Sequence, residues 1–227
     1  MSEYRQARFA PSAGATEFIL VRHGESAPAQ DGVIFDLVDG QGDPELAPGG
    51  REQAERVGAR LVSMGIDAVY VTTLRRTVET AAPFLAATGL TSTVEADLRE
   101  VFLGEWEGGV FRRMIAEDGP VAQRFRREER WDVIPGAESV DAFAKRLKQA
   151  VTRLAEAHPG QRLAVFTHGG VIGELLAQAA RSRPFAFFGP DNGSISHLVV
   201  EGSNWLVRGF NDTAHLDTDP AQPALPT

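Results

Sequence analysis

Apolar residues along this chain fall into short unbroken runs separated by stripes at helical spacing. Phe18-Ile-Leu-Val21 is one such run. It stops at Arg22-His23-Gly24 and reads as a buried strand closed by a glycine turn. Glu25 to Ala47 is rich in Gly, Asp and Pro and reads as a long loop. From Pro48 onward Ala54, Val57, Leu61 and Met64 recur at helical spacing, and Gly65 stands where a helix would stop. Ala68 to Thr72 predicts a second strand. Leu74 to about Ala87 predicts a helix with Val78, Ala82 and Leu85 on one face and Gly89 just beyond it, and Thr91 to Ala96 suggests a third strand.

Gly104 to Ile134 is less regular, with exposed-looking arginines and the aromatics Trp106, Phe111 and Trp131, and reads as short helices forming a cap. After Pro135-Gly136, the stripe Val140, Phe143, Leu147, Val151 and Leu154 predicts a helix with Ser139 as N-cap and Gly160 past its end. Arg162 to Thr167 is a further buried strand. It runs into His168-Gly169-Gly170 and a helix carrying Ile172, Leu175, Leu176 and Ala179. Ser196–Val200 and Trp205–Phe210, joined by Glu201 to Asn204, form an expected hairpin. Strands alternating with helices imply an α/β fold: three layers, α/β/α, with a mostly parallel central sheet and a small helical cap over its carboxyl edge. The expected organisation is a flexible segment over 1–16, one domain over 17–216 with a cap insertion at about 104–134, and a flexible proline-rich tail over 217–227.

Composition narrows the chemistry. The 227 residues include no cysteine, which excludes a disulfide framework, a thiolate metal site and a cysteine nucleophile. A formal charge of −8 with no contiguous basic stretch argues against a nucleic-acid surface. The first sixteen residues lack the apolar stretch of a signal peptide, and no segment approaches the ~20 apolar residues of a membrane span, so a cytoplasmic location without membrane partners is the expectation.

In an open parallel sheet, ligands bind outside the carboxyl ends of the strands. Arg22 and His23 follow the first strand, Arg75 and Arg76 the second, and His168 the strand of residues 162–167. Guanidinium groups repel a cation and match phosphate oxygens in a planar fork, so this grouping predicts an anion site holding a phosphoryl group, with no metal and no cofactor. A neutral imidazole can attack phosphorus, and His23 is the candidate nucleophile because Arg22 and the Gly24 turn accompany it. The leaving alcohol needs a proton, for which Glu100 is the candidate carboxylic acid. Ser26 either contacts phosphate or satisfies the loop backbone. Trp106, Phe111, Trp131, Phe185, Phe187 and Phe188 either line a specificity pocket or belong to the core, and are read as core; Glu25 is read as structural, Arg75 as solvated or ion-paired, and His158, His197 and His215 as structural.

These residues resemble the histidine phosphatase superfamily, in the branch containing phosphoglycerate mutases and small bacterial phosphatases. Arg22-His23-Gly24-Glu25-Ser26 is similar to its opening RHGE[ST] motif, and Leu46 to Ala54 to its LTxxGxxQA segment, with Ala47 in place of threonine. Leu74 to Ala81 resembles LxRAxxTA, and Leu98-Arg-Glu100 with Gly104 to Gly108 resembles LxE…GxWEG. Pro135 to Ser139 resembles the PxGES turn, and Thr167 to Gly170 the second-histidine motif. The resemblance implies that His23 is phosphorylated, that Arg22, Arg76 rather than Arg75, and His168 hold the phosphate, and that Glu100 donates the proton. Ala29 stands where many relatives carry an asparagine that makes a polar contact.

The expected activity is a metal-independent phosphoric monoester hydrolase of the histidine acid type, acting on a small phosphorylated substrate. The short stretch after Glu100 favours it over mutase-type phosphoryl transfer, and both histidines with Glu100 favour it over a non-catalytic phosphate-binding module. A symmetric homodimer is the commonest soluble oligomer and is kept beside the monomer.

Overall fold

Alternate residues of the first strand enter different cores. Phe18 and Leu20 pack into one apolar cluster and Ile19 and Val21 into another. That is why the run is continuously apolar: the strand is buried on both faces. A computed structural model describes residues 3–216, so the tail expected from Asp217 lies outside the described residues. In chain order the elements are β1 (Thr16–Arg22), β2 (Leu37–Val38), β3 (Gln41–Gly42), α1 (Pro48–Val62), β4 (Ala68–Val71), α2 (Arg75–Thr88) and β5 (Ser92–Val94). There follow α3 (Val110–Glu117), α4 (Pro120–Glu128), α5 (Val140–Ala157), β6 (Arg162–Thr167), α6 (Gly169–Ala180), β7 (Ile195–Glu201) and β8 (Asn204–Asp212).

The main sheet has the order β5-β4-β6-β1-β7-β8. The pairs β1–β6, β6–β4 and β4–β5 are parallel, while β7 runs antiparallel to both β1 and β8. Helices α1 and α2 cover one face through Val57, Leu61, Ala81 and Phe84, packed on Ile19, Val21, Ala164 and Phe166. Helices α5 and α6 cover the other through Phe143, Leu147, Val151, Ile172 and Leu175 on Phe18, Leu20, Leu163 and Val165. The result is a three-layer α/β/α arrangement with a mixed, mostly parallel sheet.

Local chemistry ends the elements where the sequence suggests. Pro48 opens α1, where its missing N–H is no loss. Gly89 closes α2 at φ 72, its N–H donating to the carbonyl of Leu85. Ser139 caps α5 by accepting from Ala142 N–H at 3.2 Å. Residues 104–134 fold as α3 and α4 flanked by 3-10 turns at Gly104–Trp106 and Trp131–Val133. Phe111, Phe125 and Trp131 pack there ring against ring, with centroids 5.0–6.0 Å apart.

The loop from Glu25 to Ala47 differs from expectation. It contains the two-residue strands β2 and β3, paired across Asp39-Gly40, both at positive φ. Asp-Gly is a favoured two-residue hairpin turn. Strands so short carry no alternation to reveal them. No helix among the described residues is long and apolar enough to cross a membrane.

Candidate active site

Adjacent parallel strands deliver the two histidines to one place. Arg22 pairs in register with Thr167, and the N–H of His23 donates to the carbonyl of Thr167 at 3.0 Å, so β1 and β6 end side by side. His23 and His168 follow directly, with ring centroids 5.2 Å apart. Both are buried. The Nδ1 of His23 lies 2.7 Å from the carbonyl oxygen of Gly24. A carbonyl only accepts, so Nδ1 carries the hydrogen and Nε2 keeps its lone pair. Burial first, and then the cations of Arg76 and Arg22, hold the His23 imidazole well below its ordinary range. It is therefore neutral.

His168 is pushed down in the same way, by burial, then Arg76, His23 and Arg22. Its Nε2 lies 3.0 Å from the hydroxyl of Thr72, which follows β4. Its Nδ1, and the Nε of Arg22, are buried with no hydrogen-bond partner among the described residues. A buried polar atom without a partner costs about 1–3 kcal/mol, a debt that a bound ligand with several acceptor oxygens relieves.

The two arginines opening α2 part ways. Arg76 is buried and donates from Nε to His23 Nε2 at 3.3 Å and from Nη1 to the carbonyl of Gly42 at 2.9 Å. Burial lowers it to about 10, with Glu100 and Asp43 opposing, so it stays cationic at neutral pH. Arg75 is half exposed and binds Asp43 instead, from Nε to the carbonyl at 2.7 Å. Arg76 thus stands beside His23 and Arg75 outside.

Glu100 projects from the segment after the 3-10 turn Ala96–Leu98. Its carboxylate accepts from Val101 N–H at 2.9 Å and from Gly170 N–H, in the first turn of α6, at 3.1 Å. A β-carbon on Gly170 would fall 2.5 Å from Glu100 Oε1, so only glycine lets the carboxylate reach the helix N-terminus, whose dipole favours it. Arg146, on α5, holds the backbone below: its guanidinium donates to the carbonyls of Asp97, Arg99 and Glu100 while paired with Glu138. Ser26 is buried, and its hydroxyl accepts from Arg112 Nη2 at 2.7 Å.

A cavity of 250 Å³ contains Arg22, His23, Arg76 and Glu100, walled by Phe35, Trp106, Phe111 and Trp131. It shares Arg22, His23 and Arg112 with a groove of 640 Å³ between residues 28–34 and α3. A larger cavity, 950 Å³ near α5, α6 and the β7–β8 turn, has none of these residues.

Three features escape the sequence reading. Arg112, grouped there with exposed-looking cap arginines, is exposed as expected, yet it is bonded to the hydroxyl of Ser26 and to the carbonyl of Ala27, each at 2.7 Å. Nothing local distinguishes it from Arg113. Asn192, just before β7, donates to the carbonyl of His23 at 3.0 Å across 169 residues of chain. Trp106, Phe111 and Trp131 are core residues and cavity wall at once, whereas Phe185, Phe187 and Phe188 lie outside the cavity. Ala29 lines the groove and offers it no polar group. Away from the site, His158 meets Tyr70 at 2.8 Å, His197 meets Glu17 at 2.9 Å, and His215 meets the carbonyl of Gly193 at 2.9 Å.

Known proteins share this architecture. The family model of the histidine phosphatase superfamily (branch 1) matches residues 18–213. Phosphoglycerate mutase-like protein 4 of Arabidopsis thaliana is 36% identical over 208 residues, which cover 88% of this chain and 87% of that one. A metal-independent phosphoserine phosphatase of the same plant is 29% identical over 210 residues, 89% and 84% of the two chains. The native structure of a mycobacterial glucosyl-3-phosphoglycerate phosphatase matches with a TM-score of 0.73 at 28% identity, covering 88% of this chain and 100% of that one.

Proposed function

The chain belongs to the histidine phosphatase superfamily, and on that premise we propose that it hydrolyses phosphomonoesters through a phosphohistidine on His23, without a metal. The observation that carries the proposal is the state of His23: neutral, with Nδ1–H tied to Gly24 and the Nε2 lone pair among Arg22, Arg76 and His168. Such a nucleophile divides one difficult displacement into two easier ones.

In the first step the Nε2 lone pair attacks phosphorus and the bond from phosphorus to the alcohol oxygen breaks. The departing oxygen takes a proton from Glu100. Arg22, Arg76 and His168 hold the three remaining phosphoryl oxygens, a pre-set arrangement of donors that strengthens as charge spreads over them. With Nε2 of His168 paired to the Thr72 hydroxyl, Nδ1 is the ring nitrogen left for a phosphoryl oxygen, and it donates there in the tautomer that carries its proton on Nδ1. In the second step water attacks the phosphohistidine, the P–N bond breaks, and Glu100 takes the proton of the water. His23 is regenerated and inorganic phosphate leaves.

The adjoining groove suits an alcohol portion that extends from the cavity past Arg112 and Arg113. Arg112 makes its hydrogen bonds to neutral oxygens of Ser26 and Ala27, and with Glu25 as an electrostatic neighbour rather than a bonded partner its remaining N–H groups can meet a substrate group. A small phosphomonoester with a second anionic group therefore fits best. Two of the named relatives act on such compounds: one on phosphoserine, the other on glucosyl-3-phosphoglycerate. The relative named as mutase-like favours a second reading, transfer of the phosphoryl group between positions of one substrate.

The test is phosphate release from a panel of phosphoesters in EDTA, for the wild type and His23→Ala side by side, with base-stable, acid-labile label sought on the protein. Release by the wild type alone supports the hydrolase. Isomerisation with little free phosphate would replace it by the mutase, and binding without turnover by a phosphate-binding module.

A further inference from the structure

Strand β3 and the residue after it, 41–43, bond to the segments that carry Glu100 and Arg76 without contributing a reactive group. Gln41 Nε2 donates to the carbonyl of Glu100 at 2.9 Å. The carbonyl of Gly42 accepts from Arg76 Nη1 at 2.9 Å. Asp43 Oδ1 accepts from the backbone N–H of Arg75 at 2.8 Å, at the start of α2. This strap is itself tied to the cap at one point. Glu107 Oε2 accepts from Gly42 N–H at 2.9 Å while Oε1 accepts from Leu103 N–H at 2.8 Å.

We propose that Glu107 is a positioning residue: its carboxylate holds the Gly42 peptide so that the carbonyl on the far side of Gly42 aims the Arg76 guanidinium at the phosphoryl group. The chemistry calls for a carboxylate. Both of its oxygens face N–H donors, and an amide would set its own NH₂ against one of them. The geometry also favours glycine at 42, where a β-carbon would lie 3.1 Å from the backbone of Gly108 and shift strap against cap by a few tenths of an ångström. Arg76 needs such a guide because its other bond, to His23 Nε2, is long at 3.3 Å and must yield when that nitrogen attacks. Burial pushes the Glu107 carboxyl up, and the two N–H bonds, then Arg76, pull it back. Glu107 and Arg76 therefore feel each other electrostatically as well as through the strap.

The inference rests on Arg76 being a phosphate ligand, so the experiment is a double-mutant cycle that separates the two claims. The full chain, Glu107→Gln, Arg76→Lys and the double variant are titrated with inorganic phosphate and assayed on an aryl phosphate. Arg76→Lys and Glu107→Gln should each weaken phosphate binding about tenfold, as expected for loss of a charge-assisted hydrogen bond or of the group that aims it. Adding Glu107→Gln to Arg76→Lys should cost less than twofold more, because both act on one contact. Multiplying effects, or no effect of Glu107→Gln beside a clear effect of Arg76→Lys, overturns the positioning role alone. Unchanged binding in Arg76→Lys overturns the phosphate site and the positioning role together. Should Glu107→Gln not fold, Gly42→Ala displaces the same strap and is put through the same cycle.

Discussion

Gly24 and Gly50 meet backbone to backbone: a β-carbon on Gly24 would lie 2.4 Å from the carbonyl oxygen of Gly50. The turn that carries His23 is thereby pressed onto the first turn of α1, with Ala47 N–H donating to the carbonyl of Glu25 at 2.9 Å and Thr80 receiving the N–H of Gly24 at 3.0 Å. Gly24→Ala must push the two segments apart. The expected cost is about 1–3 kcal/mol, as for overpacking elsewhere, with Tm falling about 2–4 °C per kcal/mol in a domain of this size. Turnover should fall further than stability, since the displaced turn carries the nucleophile. Calorimetry and phosphate release on the same sample check both, and an unshifted Tm would refute the contact.

Removing the nucleophile tests the chemistry directly. His23→Ala should lower turnover by more than about 10⁴-fold, the scale of losses when an activated nucleophile is deleted from an enzyme. The fold should survive, because the imidazole makes only one bond to the backbone, at Gly24. Retained activity with a native circular-dichroism spectrum would exclude His23 as the attacking group.

Glu100→Gln should discriminate between leaving groups. Alkyl phosphates, whose departing oxygen requires a proton, should slow by about 10²–10⁴-fold, and p-nitrophenyl phosphate far less. Steady-state kcat on the two substrates is the measurement. Equal losses would mean that Glu100 serves as an anchor for Val101 and Gly170 rather than as an acid.

The groove predicts a charge-dependent effect at Arg112. Arg112→Met should raise KM about tenfold for phosphomonoesters carrying a second anionic group and less than threefold for those without one. Comparable KM changes for both classes would show that Arg112 only supports the loop through Ser26 and Ala27.

Acid should weaken the ligand-free fold in a defined window. His23 and His168 are both held well below the ordinary imidazole value, chiefly by burial. Above pH ~6.5 these histidines are neutral in the folded and unfolded states alike. Below it the unfolded chain binds protons that the folded chain refuses, so unfolding free energy falls with falling pH, by up to about 1.4 kcal/mol per pH unit for each histidine. Urea midpoints between pH 7.5 and 5 should decline, and the His23→Ala profile should be flatter. A midpoint that rises on acidification would contradict the buried neutral imidazoles.

How much of this was legible in the chain differs from residue to residue. β1, β6 and α5 were readable because the apolar pattern of a segment records the burial of that segment. Arg22, His23 and His168 were readable because they stand directly after such strands. Residue types alone left Arg75 and Arg76 tied, and the resemblance chose Arg76. In the structure the choice is made by the phase of α2, which buries Arg76 beside His23 and leaves Arg75 at Asp43.

By itself, then, the sequence determined the alternation of strands and helices and the placing of Arg22, His23 and His168 directly after strands of the sheet, because periodicity and residue order are local properties. Tertiary structure alone decided that Asn192 reaches His23 and that Arg112 binds Ser26. It also decided that Gly42 links Glu107 to Arg76. Those contacts join distant segments and run largely through backbone N–H and C=O groups. Every residue carries such groups, so their pairing leaves no mark in the order of side chains.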